Sequence, residues 1–212
     1  MDIAAVAALA PVIPVLTIEK ATDAVPLARA LVKGGLPVLE ITLRTRAAID
    51  ALKAITADVP DAVVGAGTVM NETQLDQALR AGARFGVSPG CAPALTSAIE
   101  KSGMPFLPGV QTVSEALALA ERGFRLLKFF PADTAGGTAW LKAIAAPLPE
   151  IQFCPTGGIN QENTPNYLSL PNVVCIGGSW VAPRTAVAAG RWAEIEKLAA
   201  DATRLKRKPA SP

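Results

Sequence analysis

An apolar run of strand length, ending in a small or polar residue and followed by an Ala/Leu-rich helical stretch, recurs eight times at a spacing of roughly 20–25 residues. The expected strands cover 12–18, 37–43, 62–69, 84–88, 105–110, 125–130, 151–155 and 173–176, the last extending toward Trp180. Helices are expected near 23–33 and 46–57, after Asn71, over 92–101, after Thr112, within 138–146, after Asn160 and over 184–206. Local chemistry supports these boundaries. Asn71 is a good N-cap, Thr112 with Glu115 three residues on reads as a capping box, and Gly34-Gly35 closes a helix. Strands that alternate with helices pair in parallel, because each helix carries the chain back to the same end of the sheet. Eight such units are what a (β/α)8 TIM barrel requires. A short N-terminal helix, residues 2–10 of a leading segment 1–10, precedes them. An open doubly wound sheet is the alternative, but no Gly-x-Gly-x-x-Gly follows the first strand to support it.

Composition narrows the field. Half of the 212 residues are hydrophobic and 18% are charged, which supplies a substantial core and argues against disorder. No linker or composition shift divides the chain, so residues 1–212 read as a single domain. The net charge of +2 calls for no strongly charged partner. Arg204, Lys206, Arg207 and Lys208 read as the last turn of a helix, where cations suit the dipole, with 207–212 a frayed tail. No aromatic residues accompany that basic group, so no nucleic-acid partner is expected. Residues 1–16 are apolar, yet Asp2 stands where a secretion signal is positive, and Pro11 and Pro14 interrupt the run. No later stretch reaches membrane-spanning length, and no membrane association is expected. Cys91, Cys154 and Cys175 are far apart and odd in number, which fits a reduced, cytoplasmic protein. There is no histidine. A histidine-built metal site is therefore excluded, and acid–base chemistry falls to carboxylate, lysine, tyrosine, cysteine or water.

In a barrel of this kind, side chains at the C-terminal ends of the strands form the site. Thr17, Thr68, Ser88, Thr156 and Ser179 all fall there. The second strand is the most informative: Glu40, Thr42 and Arg44 alternate onto one face, and Leu39, Ile41 and Leu43 onto the other. A polar stripe facing inward is costly unless it lines a site. It serves either as an internal Glu–Arg ion pair or as a proton shuttle (Glu40) with an anion anchor (Arg44). Of nine lysines, only Lys128, in Leu126-Leu127-Lys128-Phe129-Phe130-Pro131, lies within an expected strand. A lysine in such a run snorkels to solvent, finds a carboxylate or gives up its proton, and the neutral amine is a Schiff-base nucleophile. Thr156-Gly157-Gly158-Ile159-Asn160 and Gly177-Gly178-Ser179 close the last two strands, where glycines let backbone N–H groups approach an anion. Gly65-Ala66-Gly67-Thr68 reads more weakly, as small residues that admit close packing.

The segments Leu39-Glu40-Ile41-Thr42-Leu43-Arg44-Thr45, Gly65-Ala66-Gly67-Thr68-Val69, Lys128-Phe129-Phe130-Pro131-Ala132 and Cys154-Pro155-Thr156-Gly157-Gly158-Ile159 occur in the order and spacing of one family. They resemble the 2-keto-3-deoxy-6-phosphogluconate (KDPG) aldolases and the related 4-hydroxy-2-oxoglutarate (KHG) aldolases, over residues 11–183. The resemblance implies a trimeric, metal-independent class I aldolase of the Entner-Doudoroff route, with no cofactor. Its ligands would be pyruvate and a phosphorylated keto acid. Carried over by position, Lys128 forms the Schiff base and Glu40 is the acid/base. Arg44 and Thr68 hold the pyruvate carboxylate, Thr156 lies near the C4 hydroxyl, and Gly157, Gly158, Gly178 and Ser179 hold the phosphate. Asp133 is a departure, since glutamate is common there. Two alternatives remain at this point, a sugar-phosphate isomerase or epimerase and a non-catalytic phosphate-binding barrel. The first needs no imine, and the usual epimerase site uses histidine, which the chain lacks.

Overall fold

The computed structural model of the chain describes residues 1–205. Lys206, Arg207, Lys208 and the tail expected to fray lie outside those residues. The chain begins with α1 (Ile3–Ala8), β1 (Val12–Leu16), a 3-10 turn (Ala21–Asp23), α2 (Ala24–Lys33), β2 (Val38–Thr42) and α3 (Ala48–Asp58). It continues through β3 (Val63–Gly67), α4 (Glu72–Arg80), β4 (Phe85–Val87), α5 (Pro93–Ser102), β5 (Phe106–Leu107) and β6 (Gly109–Val110). Then follow α6 (Val113–Glu121), β7 (Leu126–Phe129), α7 (Gly137–Ala145), β8 (Gln152–Pro155) and α8 (Thr164–Leu168). β9 (Ile176–Gly178), α9 (Arg184–Ala188) and α10 (Trp192–Thr203) complete it. The Asn71 side chain accepts the Gln74 N–H at 2.9 Å, and the Thr112–Glu115 capping box forms in both directions.

Several boundaries differ from expectation: the first strand ends at Leu16 rather than at 18, the last runs Ile176–Gly178 rather than from 173, and three further departures have local causes. The helix expected over 184–206 is two helices, because Gly190 takes a left-handed conformation (φ 63°) and Arg191 after it is not helical. Asn160 does not cap α8 directly. Its side chain accepts the N–H groups of Glu162 and Asn163 and so caps the turn that feeds α8. The fifth strand is cut in two by Pro108.

That cut shapes the sheet. Every strand pair is parallel, but the ladders form a six-stranded sheet in the order β5-β4-β3-β2-β1-β9 and a three-stranded sheet β6-β7-β8, rather than one eight-stranded ladder. Pro108 has no N–H to donate. Its carbonyl accepts the Lys128 N–H at 2.9 Å, while the Leu107 carbonyl accepts that of Ser88 at 3.3 Å. One strand thus bonds to the six-stranded sheet up to Leu107 and to β7 from Pro108 onward. At the other seam, β8 meets the β9 region only through the bridges Phe153–Val173 and Thr156–Gly177.

The sheets curl around a shared interior. Outward residues such as Leu39, Ile41, Val64 and Phe153 pack with the helices, among them Leu31, Leu52 and Ile195. Phe129 stacks on Trp140 at 4.2 Å, and Trp140 meets Phe153 edge-on at 5.6 Å, which locks α7 onto β7 and β8. Inward residues Ile13, Val38, Val63, Phe85, Leu107, Leu126, Cys154 and Cys175 form a separate cluster with Val6 and Ala7 of α1. α1 therefore plugs the N-terminal end of the interior, leaving the C-terminal ends of the strands for the site. Among the described residues, no helix is long and apolar enough to cross a membrane.

Candidate active site

Lys128 and Glu40 face each other across the interior, on strands that are not neighbours. Lys128 is in register with Gly109 on β6 and Cys154 on β8, and Glu40 with Val15 on β1 and Gly65 on β3. Lys128 Nζ lies 3.4 Å from Glu40 Oε1, and the two residues are 4% and 2% exposed. The lysine therefore does not snorkel. The inward carboxylate pairs with Lys128 and not, as in the internal Glu–Arg alternative, with Arg44. Lys128 Nζ lies over the face of the Phe130 ring, 5.2 Å from its centroid.

Gly67 makes room for this arrangement. A Cβ added there would lie 2.2 Å from Glu40 Oε1 and 2.5 Å from its Cγ. Gly67→Ala must push the whole Glu40 side chain away from Lys128. We expect a loss of about 1–3 kcal/mol in stability, as for overpacking, checked by thermal unfolding. Turnover should fall by at least about tenfold once the carboxylate is displaced. The next residue, Thr68, is the one non-glycine with positive φ among the described residues (φ 59°). A β-branched residue in this region is strained by about 1–3 kcal/mol, a feature that clusters at functional sites.

Above the pair opens a cavity of about 520 Å³, well within the size range of ligand sites. Val15, Thr17, Arg44, Phe130, Thr156, Gly157, Gly158, Gly177, Ser179, Trp180 and Arg184 contribute to its wall. Arg44 lies beyond β2, in a turn where its N–H donates to the Thr42 carbonyl at 2.8 Å. Thr42 is buried and structural: its hydroxyl donates to the Leu16 carbonyl at 2.8 Å and lies 3.2 Å from the Thr17 hydroxyl. Gly157 and Gly158 are both left-handed, with φ 99° and 75°, in a loop braided with residues 131–133. There the Thr156 and Gly157 carbonyls accept the N–H groups of Ala132 and Asp133. Gly158 packs so closely on Asp133 that a Cβ would lie 2.3 Å from the aspartate's Cβ.

Of the residues singled out in the sequence, Thr17, Arg44, Thr156, Gly157, Gly158 and Ser179 line the cavity. Lys128 and Glu40 are not on the wall themselves but adjoin it through Phe130, and Thr68 stands beside Gly67 rather than on the wall. Gly178 does not line it; Gly177 does. A Cβ on Gly178 would sit 1.9 Å from the Trp180 ring, so this glycine lets the indole fold back over the strand end. Trp180 and Arg184 were missed. The final strand pointed toward Trp180, but an arginine at a helix start reads as a solvated surface charge.

Other candidate acid–base groups are less suited. Burial pushes the Cys91 thiol up, against opposing hydrogen bonds from Thr96 and Ser88. Burial, and then the Asp133 carboxylate, raise Tyr167, the chain's one tyrosine. No group of three or more His, Cys, Asp or Glu side chains that could hold a metal occurs among the described residues.

A buried lysine–carboxylate pair beneath an arginine-lined cavity fits imine chemistry on an anionic carbonyl compound. The family model for KDPG and KHG aldolases matches residues 3–198. The chain belongs to the KDPG and KHG aldolase family. The 2-dehydro-3-deoxy-phosphogluconate aldolase of Pseudoalteromonas atlantica is 52% identical over 192 residues, covering 91% of this chain and 89% of the relative. The KHG/KDPG aldolase of Escherichia coli is 49% identical, covering 91% and 90%. Among solved structures, a Legionella pneumophila KDPG aldolase holding pyruvate as a covalent carbinolamine superposes with a TM-score of 0.94. It is 47% identical and covers 96% of this chain and 98% of its own. The Zymomonas mobilis KDPG aldolase with 3-phosphoglycerate gives a TM-score of 0.93 at 46% identity, covering 99% of each chain.

Proposed function

We propose that this family member cleaves 2-keto-3-deoxy-6-phosphogluconate to pyruvate and glyceraldehyde 3-phosphate through a Schiff base on Lys128. The observation that carries the reading is the buried Lys128–Glu40 contact at 3.4 Å. Glu40 accepts a proton from Lys128, and the neutral amine attacks the C2 ketone to give a carbinolamine. Glu40 returns that proton to the departing hydroxyl, water leaves, and a cationic imine remains. Glu40, directly or through a water, then takes the proton of the C4 hydroxyl. The C3–C4 bond breaks, its electrons pass to the imine nitrogen as an enamine, and glyceraldehyde 3-phosphate departs. Glu40 protonates C3 of the enamine, and hydrolysis of the resulting imine releases pyruvate and free Lys128.

Arg44, with Thr68, is assigned to the pyruvate carboxylate, which its planar fork suits. Thr156 is assigned to the C4 hydroxyl. The Gly157-Gly158 turn and Ser179, with the backbone around Gly178, are assigned to the phosphate; consecutive left-handed glycines turn their N–H groups toward an anion. The covalent pyruvate carbinolamine in the Legionella protein supports the carbinolamine step, and the 3-phosphoglycerate in the Zymomonas protein supports a phosphorylated ligand. The two sheets are taken as arcs of one closed eight-stranded barrel, joined through Pro108 at one seam and the Thr156–Gly177 bridge at the other. A homotrimer in the cytoplasm follows from the family resemblance and the reduced cysteines, and light scattering should return three chain masses.

The substrate assignment is tested by comparing pyruvate release from the phosphorylated six-carbon acid and from 4-hydroxy-2-oxoglutarate. The phosphate loop predicts a higher kcat/KM on the phosphorylated acid, by at least about tenfold, the worth of one charge-assisted contact. Equal values would remove the phosphate role from Gly157, Gly158 and Ser179.

A further inference from the structure

Among the described residues, the cavity wall contains two arginines, Arg44 and Arg184, and no carboxylate. The mechanism above uses only Arg44. Arg184 begins α9, five residues beyond Ser179 on the same connection, so it stands on the phosphate side of the cavity. Its guanidinium donates to Glu19, three residues beyond the end of β1 and two beyond the cavity-lining Thr17. Both side chains are well exposed, 76% for Arg184 and 56% for Glu19. An ion pair this exposed contributes little, because water screens it and ordering two long side chains offsets the Coulomb gain. A phosphate held against backbone N–H groups is a stronger partner: it carries nearly two charges and accepts both arms of a guanidinium fork. The substrate class has two anionic ends, and the cavity has two cations to meet them.

We propose that Arg184 is the second anion anchor of this site and exchanges Glu19 for the phosphate of the substrate. Glu19 then acts as a rim carboxylate that holds the guanidinium in place and competes with anions for it. This rests on the phosphorylated-substrate reading given above. It predicts that Arg184 sets KM for the phosphorylated acid while leaving the carboxylate end and the imine chemistry untouched.

The experiment uses the full chain and three readouts: KM for the phosphorylated acid, inhibition by inorganic phosphate, and half-saturation by pyruvate in borohydride trapping. Arg184→Ala should raise both KM and the inhibition constant of inorganic phosphate about tenfold, the loss of one charge-assisted contact. Pyruvate half-saturation should stay within about twofold, since Arg44 and Thr68, not Arg184, meet its carboxylate. Glu19→Gln alone should lower KM by about two- to threefold by removing the competitor. Removing Arg184 also leaves Glu19 unpaired at the rim, where it repels phosphate, so the double variant Glu19→Gln/Arg184→Ala decides the matter. If it keeps the raised KM, Arg184 touches phosphate. If it returns to the wild-type KM, the effect was Glu19 repulsion and the proposal is overturned. An unchanged KM in Arg184→Ala, or equal weakening of pyruvate and phosphate, overturns it as well. Should the alanine chain fail to trap pyruvate, Arg184→Gln carries the same prediction with a side chain of similar reach. A wild-type enzyme that cleaves neither substrate would instead remove the aldolase reading itself.

Discussion

Lys128→Ala should lower kcat/KM by more than about four orders of magnitude, because among the described residues no other lysine amine reaches the cavity. The variant also exposes what the pair does for the fold. Glu40, 2% exposed in the wild-type chain, would lose its cationic partner. Breaking a buried ion pair on one side costs about 3–5 kcal/mol, and water entering from the cavity above puts this site near the lower figure. Thermal unfolding should therefore show a lower Tm for Lys128→Ala. Lys128→Met/Glu40→Gln, which removes both charges and keeps the volume, should recover much of the Tm with no recovery of activity. If the double variant is as unstable as the single one, the loss comes from packing around Leu126, Phe130 and Cys154 rather than from the orphaned carboxylate.

Glu40→Gln separates proton transfer from imine formation. The amide keeps the shape that Gly67 accommodates and can still hydrogen-bond Lys128, but it cannot take a proton. Steady-state cleavage should fall by about 10²–10⁴, the range for loss of a general acid–base group. Lys128 remains, so slow borohydride trapping with pyruvate should persist. A variant that cleaves at the wild-type rate would move the proton-transfer role from Glu40 to an ordered water.

The two members of the buried Lys128–Glu40 pair were legible because strands have a recognisable pattern in sequence. The period of two placed Glu40, Thr42 and Arg44 on one face, although Arg44 falls beyond the end of β2, and an apolar run set Lys128 apart as the one lysine within an expected strand. It could not say which partner Glu40 takes, because Lys128 lies 88 residues away and pairing across an interior leaves no local pattern. The roles of Gly67 and Gly178 were hidden for the same reason. A glycine in a strand advertises space, and only the fold shows that Glu40 fills one space and the Trp180 ring the other. Pro108 was visible in the sequence, but its effect, handing one strand from the six-stranded sheet to β7, depends on which neighbours its carbonyl and that of Leu107 face. α1 read as a leading helix, and its use as a plug follows only from the inward direction of Val6 and Ala7. Arg184 and Glu19 are 165 residues apart, and each alone is an ordinary surface charge.

The central claim is that Lys128 is the Schiff-base nucleophile. Incubation with pyruvate and borohydride, followed by peptide mass analysis, should find a single pyruvate-derived reduced adduct on Lys128 and none in Lys128→Ala. A folded, active sample that shows no adduct, or carries it on one of the other lysines, would contradict the account.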